Sequence, residues 1–357
     1  MRKANLRSFV ILIITTLLCL FNPAYAKQID KIIMFGDSLS DTGNIFSLTS
    51  KAHKIFPSIP VIPKASVYYE GRFSNGPVWI DDLALAMNVP QENYAYGGAW
   101  AEPLLDSQLS VPFGLGMQVS YYLVMSVTDF HKRDHLYIIW AGGNDYVSGR
   151  DDADYATSNT VSSIETQIDW LTFYGAKNIL VMNLPDLSVV PEVKAMGTSS
   201  IQGVQQLVKM HNEKLAKMMA DKQAEHPDLK LILGDITSYF DDAYLNHDKY
   251  NIKNVNEPCY SGGYTLLNSL INKSEIAALK EQNIDVMHSP SLRTAYMTAK
   301  LADSGEEACA TPDEYMFWDQ IHPTRVVHQL MSMQAMLILS NNDIVGQIVR
   351  ARSSRAQ

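Results

Sequence analysis

The chain has 357 residues, 46% of them hydrophobic, with 29 lysines and arginines against 38 aspartates and glutamates and a formal net charge of −9. That length and apolar content suffice for one large α/β domain with a substantial core. The acidic balance argues against electrostatic binding of nucleic acid or of anionic membrane surfaces.

Residues 1–26 have the pattern of a secretory signal peptide. Arg2, Lys3 and Arg7 open it, an apolar run covers 9–21, and Ala24-Tyr25-Ala26 forms a small-x-small cleavage site. The apolar run is short for a membrane span, the alternative being an uncleaved anchor. Cleavage after Ala26 predicts a secreted or periplasmic protein, with 27–357 as a single domain free of linkers, repeats and low-complexity tracts.

The apolar run at 31–35 predicts a buried parallel strand and leads into Gly36-Asp37-Ser38-Leu39-Ser40-Asp41-Thr42-Gly43-Asn44. A hydroxyl at the carboxyl end of such a strand faces the crevice where open α/β sheets bind ligands. It can also use the positive end of a following helix. A helix is expected over 77–87, with Pro77 in its first turn, and a weak strand near 93–96. A helix over 117–131 and a strand over 136–140 follow, the latter running into Ala141-Gly142-Gly143-Asn144-Asp145. Helices at 161–174 and 204–225 alternate with strands at 179–183 and 229–233, and a helix over 325–339 closes the pattern. This alternation predicts a doubly wound, mostly parallel sheet covered by helices on both faces.

The segment 235–313 fits the rhythm poorly and is rich in Asn, Tyr, Gly and Asp. It reads either as a lid or substrate-binding insertion or as a solvated surface loop. It holds Cys259 and Cys309, the two cysteines that remain after cleavage. In an oxidising compartment they suggest one disulfide, worth about 4 kcal/mol in the chain-entropy model, against the alternative of two buried thiols. No His or Asp cluster at ligand spacing surrounds either cysteine, so no metal site is expected.

Near the C-terminus stands Phe317-Trp318-Asp319-Gln320-Ile321-His322-Pro323-Thr324. Asp319 and His322, three apart on a turn into a helix, can share a hydrogen bond that fixes the imidazole tautomer. The other ring nitrogen is then free to take a proton from a serine. The chain order Ser, Asp, His matches α/β-hydrolases, but the Gly-x-Ser-x-Gly elbow is absent because Ser40 occupies the second glycine's place. Donors for an oxyanion are available at three strand ends: the Ser38 N–H, a glycine N–H in Tyr96-Gly97-Gly98-Ala99, and the Asn144 side chain. Each motif is weak alone, and their joint appearance in this order is the signal.

Those blocks resemble the GDSL, or SGNH, family of serine esterases and lipases, as does the stretch Gly71-Arg72-Phe73-Ser74-Asn75-Gly76-Pro77-Val78-Trp79. The resemblance implies a flavodoxin-like doubly wound fold. It assigns Ser38 as nucleophile, His322 as base and Asp319 as its orienting carboxylate, with the Ser38 N–H, the Gly98 N–H and Asn144 holding the oxyanion. Within the family the chain is similar to the secreted bacterial lysophospholipase A, phospholipase A and glycerophospholipid:cholesterol acyltransferase branch. That similarity implies lipid acyl esters as substrates, a sterol as a second acyl acceptor, transient contact with lipid aggregates or membrane surfaces, and no cofactor. Tyr68, Tyr69, Phe73, Trp79, Trp100, Pro112 and Phe113 then either line an acyl groove or pack in the core. Rival readings are a short-chain carbohydrate acetylesterase of the same family and a non-catalytic binding or adhesion module. His131, His135, His211 and His328 read as structural or surface residues, and Asp37 as shaping the turn at Ser38.

Overall fold

The computed structural model describes residues 29–55, 57, 61–102, 114–147, 150, 152–262, 278–282 and 307–345. The expected signal peptide, Pro112, Phe113 and much of 263–306 lie outside the described residues. Five parallel strands form the central sheet: β1 (Lys31–Gly36), β2 (Gln91–Asn93), β3 (His135–Trp140), β4 (Asn178–Met182) and β5 (Lys230–Gly234). Their spatial order is β2-β1-β3-β4-β5, which is the flavodoxin-like arrangement. The switch in strand order falls between β1 and β3, the position at whose carboxyl strand ends open α/β sheets bind their ligands.

The strands read as continuous apolar runs because both faces of the sheet are covered. Ile32, Met34, Leu136, Ile138, Leu180 and Met182 enter one core layer, while Ile33, Phe35, Tyr137, Ile139, Ile179 and Val181 enter the other. The helices in chain order are α1 (Asn44–Ile55), α2 (Trp79–Met87), α3 (Leu115–Met125), α4 (Gly143–Tyr146), α5 (Ala153–Phe173), α6 (Pro191–Ala195), α7 (Thr198–Glu225), α8 (Thr237–Leu245) and α9 (Arg325–Asn341). Helices α2 and α9 supply Trp79, Leu83, Val327, Met331 and Leu339 to the first layer. Helices α3 and α5 supply Leu115, Val119, Tyr122, Ile164 and Ile168 to the second. Each such side chain contributes about 1.5–3 kcal/mol by leaving water.

Several expectations shift: the weak strand expected near 93–96 is β2 at Gln91–Asn93, and the helix expected over 117–131 ends at Met125. Pro77 lies outside its helix, which starts at Trp79 after Val78. The segment 235–313 contains α8, the strand β6 (Asn254–Pro258), and the Cys259–Cys309 disulfide, whose Cα atoms are 4.9 Å apart. Strand β6 pairs in parallel with β7 (Tyr315–Phe317), the strand just before Asp319. No helix among the described residues is long and apolar enough to cross a membrane.

Candidate active site

Ser38 sits at the carboxyl end of β1 in a tight turn, in which the N–H groups of Ser40 and Asp41 both donate to the Asp37 carbonyl at 3.0 Å. Glycine at position 36 is needed because a Cβ there would lie 2.4 Å from the Trp140 carbonyl oxygen. Gln118 of α3 grips the same residue, accepting from the Gly36 N–H at 2.9 Å and donating to its carbonyl at 2.7 Å. The strand end that carries Ser38 is thereby fixed from both sides.

The helix after Ser38 does not lend it an N-terminus. Helix α1 starts six residues later, and its opening N–H groups are taken by Asp41, which accepts from Gly43 at 2.8 Å, Asn44 at 2.6 Å and Ile45 at 3.2 Å. A buried carboxylate so close outcompetes a hydroxyl for those donors. Asp41 also accepts the Gly97 N–H at 2.8 Å, which ties the Ser38 turn to the 96–99 loop. Burial pushes Asp41 up to about 6, against the pull of these four donors. Asp37 accepts the Leu39 N–H at 3.0 Å, and burial pushes its carboxyl up to about 7.

His322 and Asp319 lie in the loop between β7 and α9. Asp319 is fully buried, and its Oδ1 accepts the backbone N–H groups of Ile321 and His322, each at 2.8 Å. His322 Nδ1 is 2.8 Å from Asp319 Oδ2, and His322 Nε2 is 2.8 Å from Ser38 Oγ. A line of hydrogen bonds therefore joins three residues, Ser38 and His322 being 284 positions apart in the chain. With the carboxylate as acceptor, Nδ1 carries the proton and Nε2 is left to accept from the serine hydroxyl.

The loop is held by the stretch at 71–79, which the sequence marked as family-like and as a source of groove or core aromatics but not as a support for His322. Ser74 Oγ donates to the Pro323 carbonyl at 3.0 Å, and Asn75 Oδ1 accepts the Arg325 N–H at 2.7 Å. The Phe73 ring lies 4.9 Å from the His322 ring at 36°. Tyr68 donates its hydroxyl to Asp319 Oδ2 at 2.5 Å. Tyr68, Phe73 and Trp79 are thus buried parts of the scaffold and do not line a groove. Of the aromatics named for a groove, Tyr69 is exposed and Trp100 half-buried. For Phe73, Ser74 and Asn75 the available sequence signal was their place in the family-like stretch 71–79.

Gly98 has φ +79, a left-handed conformation that favours glycine. Asn144, on α4 at the end of β3, donates from Nδ2 to the Ala99 carbonyl at 2.9 Å, which ties the β3 end to the Gly98 loop. Asp145 beside it is fully buried and accepts the N–H groups of Ala101 at 3.0 Å and Glu102 at 2.8 Å. Burial pushes Asp145 up to about 6. Among the described residues neither the Ser38 N–H nor the Gly98 N–H meets an acceptor, whereas the Gly97 N–H is occupied by Asp41. Ser38, Gly98, Asn144, Asp319 and His322 therefore stand on segments that are hydrogen-bonded to one another or to a common partner. His211 and His328 stand apart as buried core residues, His211 against the Tyr146 hydroxyl at 2.9 Å and His328 accepting the Trp79 N–H at 3.3 Å.

The family model for GDSL-like lipases and acylhydrolases matches residues 32–335. The chain belongs to that family. It is 30% identical over 324 residues to a phosphatidylcholine-sterol acyltransferase of Aeromonas hydrophila, covering 88% of this chain and 90% of that protein. It is 29% identical over 322 residues to a thermolabile hemolysin of Vibrio parahaemolyticus, covering 88% of this chain and 65% of that one. A solved structure of a lipolytic G-D-S-L family protein from Veillonella parvula is 14% identical, with a TM-score of 0.40 over 87% of this chain and 98% of that one.

Proposed function

We propose that this GDSL-family chain is a secreted or periplasmic serine esterase that hydrolyses lipid acyl esters, of lysophospholipase A or phospholipase A type, and passes the acyl group to an alcohol such as a sterol when one is present. The observation that carries the chemistry is the Ser38 Oγ–His322 Nε2–Asp319 line at 2.8 Å per link, beside two backbone N–H groups that meet no acceptor among the described residues. In this reading Ser38 Oγ attacks the ester carbonyl carbon while His322 Nε2 takes its proton. The Ser38 N–H, the Gly98 N–H and the Asn144 amide receive the oxyanion. As the intermediate collapses, the alcohol leaves with the proton from His322, and an acyl-Ser38 ester remains. Water or an acceptor alcohol, deprotonated by His322, attacks that ester and restores Ser38. Asp319 holds the imidazolium that forms in each half. The lipid substrate and the sterol acceptor are supported by the acyltransferase similarity over 88% of the chain.

Ser38→Ala is expected to abolish hydrolysis of aryl esters and lysophospholipid while the circular dichroism spectrum and melting temperature stay unchanged. Retained activity in that variant removes the nucleophile assignment. The substrate class is tested by product analysis on lysophospholipid, phospholipid and acetylated polysaccharide, with and without sterol. Faster turnover of the acetylated polysaccharide than of either lipid overturns it.

A further inference from the structure

We propose that the Tyr68 hydroxyl is a positioning group for the Asp319–His322 pair, an inference that rests on the roles given to Ser38, His322 and Asp319 above. Asp319 is fully buried, and among the described residues its one cationic partner is His322. A buried carboxylate in that position stays ionised only if neutral donors satisfy its lone pairs. The Ile321 and His322 N–H groups serve Oδ1, and they come with the turn itself. Oδ2 receives the His322 ring and the Tyr68 hydroxyl, the latter at 2.5 Å from a residue 251 positions away. Among the described residues Tyr68 is thus the one side chain besides His322 that donates to Asp319.

The ring that carries the hydroxyl cannot swing aside. Phe73, Tyr260 and Trp318 meet it edge-on at centroid distances of 6.2, 5.9 and 6.3 Å. Tyr260 is fastened to the same loop through its N–H to the Trp318 carbonyl at 2.6 Å. Rotation of the Asp319 carboxyl would break the Tyr68 bond and the two backbone bonds together. The hydroxyl therefore locks the face that Asp319 presents to the imidazole, and it draws part of the negative charge away from the oxygen nearest Nδ1.

Tyr68→Phe keeps the ring and its packing and removes only the donor. Loss of a hydrogen bond to a charged group predicts a fall in kcat of about tenfold, with KM within about twofold. Without the hydroxyl the full charge of Oδ2 faces the imidazolium, so the acid limb of kcat/KM moves to higher pH. In an Asp319→Ala background the same change should alter kcat by less than about twofold, because the hydroxyl has lost its partner. If Tyr68 only packs, Tyr68→Phe keeps the parent kcat and limb, and that result overturns the proposal. Should Tyr68→Phe not fold, 3-fluorotyrosine at position 68 retains the packing with a more acidic donor and moves the limb to lower pH. An unmoved limb there also overturns the proposal. The roles beneath it are tested separately: activity in Ser38→Ala removes them, whereas an inactive Ser38→Ala beside a fully active Tyr68→Phe removes only the role of Tyr68.

Discussion

Adding one methyl group at Gly97 tests whether the 96–99 loop, Phe73 and His322 form a single packed unit. A Cβ at Gly97 would lie 2.3 Å from Phe73 Cε2, 2.4 Å from Phe73 Cζ and 3.3 Å from Ile45 Cγ2. Carbon atoms need about 3.5 Å, so the ring must retreat by roughly 1 Å. Phe73 is 4% exposed and cannot turn into solvent, and His322 stands 4.9 Å from its ring. Gly97 is not in the left-handed region, and alanine keeps the N–H that Asp41 accepts, so the effect is steric. Overpacking of this kind costs about 1–3 kcal/mol. Displacing the base by a comparable distance lowers kcat on the order of a hundredfold. Urea unfolding of Gly97→Ala gives the first quantity and kcat/KM on an aryl ester the second. Adding Phe73→Leu should recover part of both. Parental stability and parental kcat/KM in Gly97→Ala would refute the coupling.

Other changes have equally definite outcomes. Asn144→Ala removes a proposed oxyanion donor and should lower kcat about 10²–10³-fold with little change in KM, measured by steady-state kinetics. Asp41→Ala strips the acceptor from four N–H groups and should destabilise the fold by about 3 kcal/mol or more, read from chemical denaturation. Gln118→Leu leaves the Gly36 N–H without its Oε1 acceptor and should cost about 2 kcal/mol in the same assay. Burial holds His328 down to about 3, below the ordinary 6.5 of the unfolded chain. Its stabilisation is therefore full above pH 6.5 and is lost as pH falls. The buried Asp37, Asp41 and Asp145 act the other way, since stability from a raised carboxyl is full below the unfolded value and is lost as pH rises through about 6 to 7. Between pH 6.5 and 5, His328→Gln should lose about 2 kcal/mol less stability than the parent, and equal losses would contradict the burial argument.

The elements that were legible in the sequence are those whose burial is local and continuous. β1, β3 and β4 announce themselves because nearly every side chain in them is buried on one face or the other. Helix α1 was invoked after Ser38 but given no bounds, because Ile45 and Thr49 are its only buried residues, too few to make an apolar stripe. The same holds for α8, which buries Phe240 and Ala243 inside a segment read as irregular. The aromatic residues at 68–79 were visible as residue types, but whether they faced a groove or the core depended on a loop 250 positions away.

By itself the sequence determined the alternation of strands and helices, the Ser38 turn, the Asp319–His322 spacing and the set of strand-end donors. Each of these follows from neighbours a few positions apart. The strand order that brings the β1 and β3 ends together came from the sequence only through the family resemblance, and the tertiary structure alone decided the occupied Gly97 N–H beside a Gly98 N–H that meets no acceptor among the described residues, and the hydroxyl that Tyr68 sends to Asp319. Those depend on which groups burial leaves without water and so forces to find partners far away in the chain.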